Sequence, residues 1–242
     1  MEIINTSLVN LHNLTMISAI DTVKNYSESA GLDIVVTPNI DHLARIVTEG
    51  KSSELKAIYS RASLCLCDSR ILQKLLKRKN KIIDEVIPGS TLTQLLFDEK
   101  HMLDKKVLVV GGEQHVFDIL VKKHPELNLH HINPSMGFIN NANEVDKVIE
   151  YAEQIQPNFI FLAVGSPRQE ILAEKLQLSL KKGVALCIGA SILFLVGEEK
   201  RAPEWIQSCH LEWCYRMLQN PKVLVKRYFG NFLKLQRIYK AL

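Results

Sequence analysis

The chain has 242 residues, of which 47% are hydrophobic, enough for one large domain or a domain with an appendage, and this excludes a disordered chain. A formal net charge of +4 is mild, but it is unevenly placed: no acidic residue follows Glu212, while Arg216, Lys222, Lys226, Arg227, Lys234, Arg237 and Lys240 do. No apolar run reaches the roughly 18 residues of a membrane-spanning helix, and Met1-Glu2-Ile3-Ile4-Asn5 has neither the basic start nor the apolar stretch of a secretion signal.

In chain order, apolar and β-branched runs at 33–36, 64–67, 106–110, 127–132, 158–164 and 184–188 are predicted strands. Each leads through a turn into an amphipathic stretch of about ten to fifteen residues, the rhythm of a parallel sheet flanked by helices. In such sheets ligands bind beyond the carboxyl ends of the strands. The segments there read Thr37-Pro38-Asn39-Ile40-Asp41, Asp68-Ser69-Arg70, Gly111-Gly112-Glu113, Gly165-Ser166-Pro167-Arg168-Gln169 and Gly189-Ala190-Ser191. Glycines admit a phosphate or sugar close to the backbone, and helix N-termini offer amide donors to anions.

A boundary near 197–201 divides a main domain, 1–198, from an appendage, 199–242. A helical piece is expected over 205–218. After Asn220-Pro221, read as cap and first turn, a last helix runs to about Tyr239. Leu224, Tyr228, Phe232, Leu235 and Tyr239 form its apolar stripe, interleaved with Lys and Arg. Such a helix suits a membrane interface, and the same pattern fits a helix docked on the main domain with a solvated basic face.

The five cysteines, Cys65, Cys67, Cys187, Cys209 and Cys214, fall in or beside apolar runs and read as reduced thiols of a cytosolic protein. Cys65-x-Cys67 lacks zinc-knuckle spacing, and its side chains are expected on opposite faces of a strand. The eight histidines show no ligand spacing and read as surface or satisfied core groups, so no metal is expected.

Several strand-end residues can carry chemistry. Asp68 can cap the next helix or take a proton from a sugar hydroxyl. Thr37 and Pro38 read as N-cap and first-turn proline, which leaves the Asn39 amide for a sugar and Asp41 for the helix dipole. Ser166 and Gln169 have the spacing of a capping box.

Taken together, Thr37-Pro38-Asn39, Asp68, Gly111-Gly112, Gly137-Phe138, Gly165-x-Pro167-Arg168-Gln169-Glu170, Arg201-Ala202-Pro203-x-Trp205 and Leu211-Glu212-Trp213-x-Tyr215-Arg216 resemble the WecG/TagA/CpsF glycosyltransferases in order and approximate spacing, over about 33–228. The resemblance implies a Rossmann-like α/β domain with a membrane-associating appendage. It implies an inverting, metal-independent enzyme, without cofactor, on the inner face of the plasma membrane. Such enzymes move N-acetylmannosamine, its uronic acid or glucuronic acid from UDP to a polyprenyl-diphosphate-linked saccharide in cell-surface polysaccharide synthesis. By position Asp68 matches the family's base, and Thr37, Asn39 and Gln169 match pocket residues near the sugar. Arg201, Arg216 and Arg227 match basic appendage positions suited to a diphosphate, with Gly111, Gly112, Gly137, Phe138, Gly165, Pro167 and Gly189 lining the rest.

Where the family carries Arg-Val-x-Gly-x-Asp, this chain has Glu85-Val86-Ile87-Pro88-Gly89-Ser90-Thr91, so an Arg is replaced by Val86 and an Asp by Thr91. Arg70 is a candidate for the missing guanidinium. The departures leave open a non-catalytic, membrane-associated nucleotide-sugar binder of the same fold. A nicotinamide-type Rossmann enzyme is disfavoured, because Gly111-Gly112-Glu113-Gln114-His115 lacks the required glycine spacing and no acid ends the next strand. The tail has no nucleic-acid-binding motif, so no nucleic acid partner is expected. Self-association stays open.

Overall fold

The computed structural model describes residues 1–50, 53–98, 101–199, 203, 215 and 221–242. Its centre is a six-stranded parallel sheet in the order β4-β3-β8-β7-β5-β6. The strands are β3 (Asp33–Val36), β4 (Leu64–Cys65), β5 (Lys106–Val110), β6 (Asn128–Ile132), β7 (Phe159–Leu162) and β8 (Val184–Cys187). They fall within the six predicted runs, trimmed at the ends.

Period-two alternation sorts their side chains into two layers. Ile34, Val36, Cys65, Cys67, Leu108, Val110, Ile160, Leu162, Ala185 and Cys187 face one core, covered by α2 (Ile40–Glu49), α3 (Glu54–Arg61), α4 (Arg70–Lys77), α7 (Ala142–Ile155) and α8 (Arg168–Ser179). Val35, Leu64, Leu66, Val107, Val109, Phe159, Phe161, Val184 and Leu186 face the other, covered by α1 (Met16–Tyr26), α5 (Gly89–Asp98), α6 (Gln114–Lys123) and α9 (Ser191–Val196). Cys65 and Cys67 therefore share a layer, against the expectation of opposite faces, because residues two apart on a strand point the same way. Burial on both faces explains why β3, β4, β5, β7 and β8 read as apolar runs, whereas the edge strand β6, Asn128-Leu129-His130-His131-Ile132, is only partly buried.

An N-terminal antiparallel hairpin, β1 (Glu2–Asn5) and β2 (Asn10–Asn13), was not expected. Its turn is tied by Thr6 Oγ1, which accepts from Leu8 N and Val9 N at 3.1 and 2.9 Å. Leu8, Val9 and Leu11 enter the α2 side of the core, and His12 Nδ1 accepts from Cys65 N at 2.9 Å, closing the edge of the short β4.

The last helix, α10 (Pro221–Ala241), packs on α2. Asn231, Ile238 and Leu242 are buried, Leu235 and Tyr239 are partly buried, and Val225, Phe229, Phe232 and Leu233 are exposed. The predicted stripe is thereby split: Leu235 and Tyr239 are partly buried, Phe232 is exposed, and the side chains of Leu224, Tyr228 and Arg227 lie outside the described residues. Lys79 sits over the Tyr239 ring, 5.0 Å from its centroid, and Lys81 donates to Leu242 O and to Asn5 O. The expected cap at Asn220 and the helical piece over 205–218 lie outside the described residues, Tyr215 aside, which is helical. Among the described residues no helix is long and apolar enough to cross a membrane.

Candidate active site

The strand order places a crevice. β5 leads through α6 outward to β6, whereas β7 leads through α8 in the opposite direction to β8, so connections diverge at the β5/β7 boundary. The carboxyl ends of β3, β4, β8, β7 and β5 deliver the site residues side by side.

At the β3/β4 end, Asp68 accepts from two directions. Oδ1 takes the Gly89 N–H at 3.0 Å, at the first residue of α5, and Oδ2 takes the Asn39 side-chain amide at 3.3 Å. Asn39 is oriented by its own helix. Its Oδ1 accepts from Asp41 N at 3.0 Å and His42 N at 3.5 Å, and His42 Nδ1 accepts from Asn39 N at 3.1 Å, a reciprocal capping box for α2. With Oδ1 committed to the helix, the NH2 can only face Asp68. Thr37 joins the cluster from β3: a Cβ on Gly89 would stand 2.7 Å from Thr37 Oγ1, so this position admits only glycine without displacement.

Two capping expectations are corrected here. Asn39, not Thr37, is the N-cap, since α2 begins at Ile40 after the buried Pro38. Asp68 does not cap α4, whose N-cap is Ser69 accepting from Leu72 N at 3.2 Å.

A second cluster lies at the β7/β8 end. Gln169, 3% exposed, accepts the Gly189 N–H on Oε1 at 2.8 Å and donates Nε2 to Glu170 Oε1 at 3.1 Å. Glu170 Oε1 also accepts from Tyr59 Oη of α3 at 3.2 Å. Burial, then the Glu170 charge, pushes the Tyr59 hydroxyl well above its ordinary range. The capping box predicted from Ser166 and Gln169 is absent: α8 is preceded by Pro167 with no side-chain cap, and Ser166 Oγ is buried without a partner among the described residues. Gln169 turns instead to the neighbouring strand end, where the Gly189 donor is available.

The clusters meet through aromatic contacts. The His42 ring meets Tyr59 edge-on, with centroids 6.2 Å apart, so a continuous path runs from Asp68 through Asn39, His42, Tyr59 and Glu170 to Gln169 and Gly189.

At the crevice itself, Gly111 and Gly112 both hold positive φ, 93° and 81°. His131, stacked on Phe117 at 4.6 Å, places Nε2 3.1 Å from each of their carbonyl oxygens. That satisfies His131, whereas His130 Nε2 is buried with no partner among the described residues, against the expectation of a satisfied group. Across the boundary, the Arg168 guanidinium covers Gly165, with Nη2 3.2 Å from where a Cβ would stand, and Nη1 donates to Met136 Sδ at 3.1 Å. Gly137 is exposed, while Phe138 is only 2% exposed and packs into the core from a short 3-10 turn, Phe138–Asn140. Arg70 begins α4 and is exposed. Arg201 and Arg216 lie outside the described residues, and of Arg227 only the helical backbone is described. Among the described residues no group of His, Cys, Asp and Glu side chains is arranged to hold a metal ion.

Sequence reasoning gave no role to Tyr59, His42, Gly89 or Glu170. Gly89 carried a signal, as the fixed point of the Val86 to Thr91 comparison. Glu170 looks like an ordinary first-turn acid, and nothing local shows its burial.

The sequence model described as the glycosyl transferase WecG/TagA/CpsF family matches residues 4–242. Among similar proteins are two named N-acetylglucosaminyldiphosphoundecaprenol N-acetyl-beta-D-mannosaminyltransferase from Staphylococcus aureus. The protein from strain MRSA252 is 26% identical over 218 residues, covering 87% of this chain and 82% of its own length. That from strain MW2 is 24% identical over 220 residues, covering 88% and 84%.

Proposed function

From the premise that the chain belongs to the WecG/TagA/CpsF glycosyltransferase family, we propose that it transfers an N-acetylmannosamine-type sugar, or a uronic acid of that class, from UDP to a polyprenyl-diphosphate-linked N-acetylglucosamine. The names of the similar Staphylococcus aureus proteins support that acceptor and that sugar. The single observation that carries the reading is Asp68, a partly exposed carboxylate fixed at the end of β4 by the Asn39 amide and the Gly89 N–H.

In this mechanism Asp68 takes the proton from the acceptor hydroxyl as its oxygen attacks the anomeric carbon from the face opposite the diphosphate. The bond between that carbon and the UDP oxygen breaks, the configuration inverts, and UDP leaves with the electron pair. No metal is required if guanidinium groups stabilise the leaving diphosphate. Arg201, Arg216 and Arg227 of the appendage are assigned that task, with Arg70 replacing the arginine absent at Val86. Thr37, Asn39 and Gln169 shape the sugar pocket. Gly111, Gly112, Gly165, Pro167 and Gly189 give the nucleotide close approach to backbone, with Gly137 and Phe138 in the adjoining turn. The appendage, 199–242, rests on the inner face of the plasma membrane, where the lipid acceptor lies. Its exposed Val225, Phe229, Phe232 and Leu233 support this placement.

The substitutions at Val86 and Thr91 favour a second reading, a nucleotide-sugar binder without turnover. One assay separates the two: purified protein, a panel of UDP-sugars, a short polyprenyl-diphosphate N-acetylglucosamine and a chelator. The transferase yields glycosylated lipid and UDP with at least one donor. Nucleotide binding without product from any donor selects the binder.

A further inference from the structure

Glu170 takes no step in the reaction above, and packing alone gives no reason for a carboxylate at its position. It stands in the first turn of α8 at 1% exposure, beside the Cys187 thiol, whose ionisation is opposed first by burial and then by the Glu170 charge. A carboxylate removed from water is costly unless its oxygens are satisfied. Here Oε1 takes both available donors, Tyr59 Oη and Gln169 Nε2, while Oε2 is buried with no partner among the described residues. A leucine or methionine would fill the same space without that penalty, but would leave Tyr59 Oη and Gln169 Nε2 without their acceptor. Local rules of this kind are broken where function asks for it.

The Gln169 amide supplies the reason. A side-chain amide turns over readily unless its two ends face partners of opposite kind. The Gly189 N–H is a donor only and selects Oε1, at 2.8 Å; Glu170 Oε1, which also accepts from Tyr59 Oη, selects Nε2, at 3.1 Å. We propose that Glu170 is a positioning residue that locks the Gln169 amide, so that Gln169 anchors the Gly189 turn at the carboxyl end of β8. Gly189 is left-handed, φ 52°, and among the described residues its N–H otherwise reaches only Leu162 O, at 3.2 Å, so the amide holds the turn in place. Tyr59 steadies the carboxylate from α3 and carries its position to His42 and the Asn39 cap. The consequence for turnover rests on the transferase reading; the anchoring of the turn does not.

The test measures three things in the wild type, Glu170→Leu, Glu170→Gln, Gln169→Leu and the double leucine variant. These are amide hydrogen exchange at Gly189, the thermal midpoint, and turnover with UDP-N-acetylmannosamine and a short polyprenyl-diphosphate N-acetylglucosamine. Glu170→Leu is expected to speed Gly189 exchange and lower kcat, each by about tenfold or more, while the midpoint falls only modestly, since relief of the buried carboxylate is set against Tyr59 Oη and Gln169 Nε2 left without their acceptor. Gln169→Leu reproduces both losses, and the double variant loses no more than either single one, as expected for residues acting as a unit. Glu170→Gln keeps an acceptor oxygen for both donors and stays within about threefold of wild type.

Unchanged Gly189 exchange in Glu170→Leu overturns the proposal. So does a fall in midpoint that accounts for the lost activity, or a Glu170→Gln variant as damaged as Glu170→Leu. If the wild type shows no turnover while the exchange pattern is as expected, the positioning role stands and the transferase reading fails.

Discussion

Asn231 of the last helix donates its side-chain amide to Asp41 Oδ1 in the first turn of α2 at 2.9 Å, across 190 positions of sequence. Asp41 N–H donates to Asn39 Oδ1, and the Asn39 amide donates to Asp68, so the last helix stands three hydrogen bonds from the candidate base. Asn231→Leu is expected to cost about 1 kcal/mol of stability and to lower kcat several-fold with little change in the donor KM. The reciprocal exchange, Asp41→Asn with Asn231→Asp, restores one donor facing one acceptor and should recover most of the loss. Steady-state kinetics with thermal unfolding check this, and wild-type kcat in Asn231→Leu would uncouple the helix from the site.

Asp68→Asn tests the base. The new carbonyl can keep the Gly89 N–H, but its NH2 then faces the Asn39 NH2, two donors with no acceptor between them. Asn39 cannot turn over without giving up its bonds to Asp41 N and His42 N. The variant should lose about 1–2 kcal/mol of stability and about 10²–10⁴-fold in kcat, with donor affinity retained. Release of UDP and a nucleotide titration measure the two. A kcat near wild type would remove Asp68 from this role.

Gly111 and Gly112 are both left-handed, yet they should respond differently to alanine. A Cβ on Gly111 would stand 2.7 Å from Val164 Cγ1 and 3.0 Å from the Ala163 carbonyl carbon, whereas on Gly112 nothing is nearer than 4.0 Å. Gly112→Ala should cost only the backbone strain, about 1–2 kcal/mol. Gly111→Ala adds a backbone collision and should cost clearly more. Equal midpoints by calorimetry would contradict this geometry.

The sheet was legible because all its strands but β6 are short apolar runs, each followed by an amphipathic stretch, the pattern of a parallel sheet covered by helices. The β1–β2 hairpin was not, because its strands are four residues long and carry polar ends at Glu2, Asn5, Asn10 and Asn13. Thr37 and Asn39 are both competent caps two positions apart, and the choice depends on where β3 stops pairing. Asp68, Asn39, Gln169 and Gly189 could be found at strand ends, but the hub that joins them could not. Tyr59 and Glu170 lie 111 positions apart, and only the packing of α3 on α8 makes them partners. On α10, periodicity marks apolar positions without saying which side leans on α2.

The buried thiols give a pH prediction. Burial pushes Cys67 up to about 12, with the Asp68 charge adding to the shift, and pushes Cys65 and Cys187 up as well. A raised folded value means the native state holds its proton more tightly than the unfolded chain. These groups therefore leave stability intact below their unfolded value, near 9, and remove it as pH rises from there toward 12. Denaturant titrations from pH 8 to 10.5 should show stability falling, more weakly in Cys67→Ala than in the wild type. Residue-resolved alkylation at pH 8 should label these three thiols only on unfolding. Rapid native labelling of Cys67 would refute the burial argument.

The outward face of α10 gives the last prediction. Val225, Phe229, Phe232 and Leu233 are 49 to 68% exposed, while Ile238 and Leu242 are held against the body. Among the described residues nothing covers this stripe, and Arg237 and Lys240 flank it on the exposed surface. Inserting a phenylalanine into the interface contributes up to about 1.5–3 kcal/mol, and each nearby Lys or Arg about 1 kcal/mol at an anionic surface. Phe229→Ser with Phe232→Ser should therefore weaken sedimentation with phosphatidylglycerol vesicles by about tenfold or more, leaving the midpoint unchanged because neither ring is buried. Arg237→Gln with Lys240→Gln should weaken it less and reduce its salt dependence. Leu235→Ser should instead lower the midpoint, since that side chain is partly buried. If Leu235→Ser impairs vesicle binding at an unchanged midpoint while the phenylalanine pair does nothing, the helix meets the membrane by the opposite face.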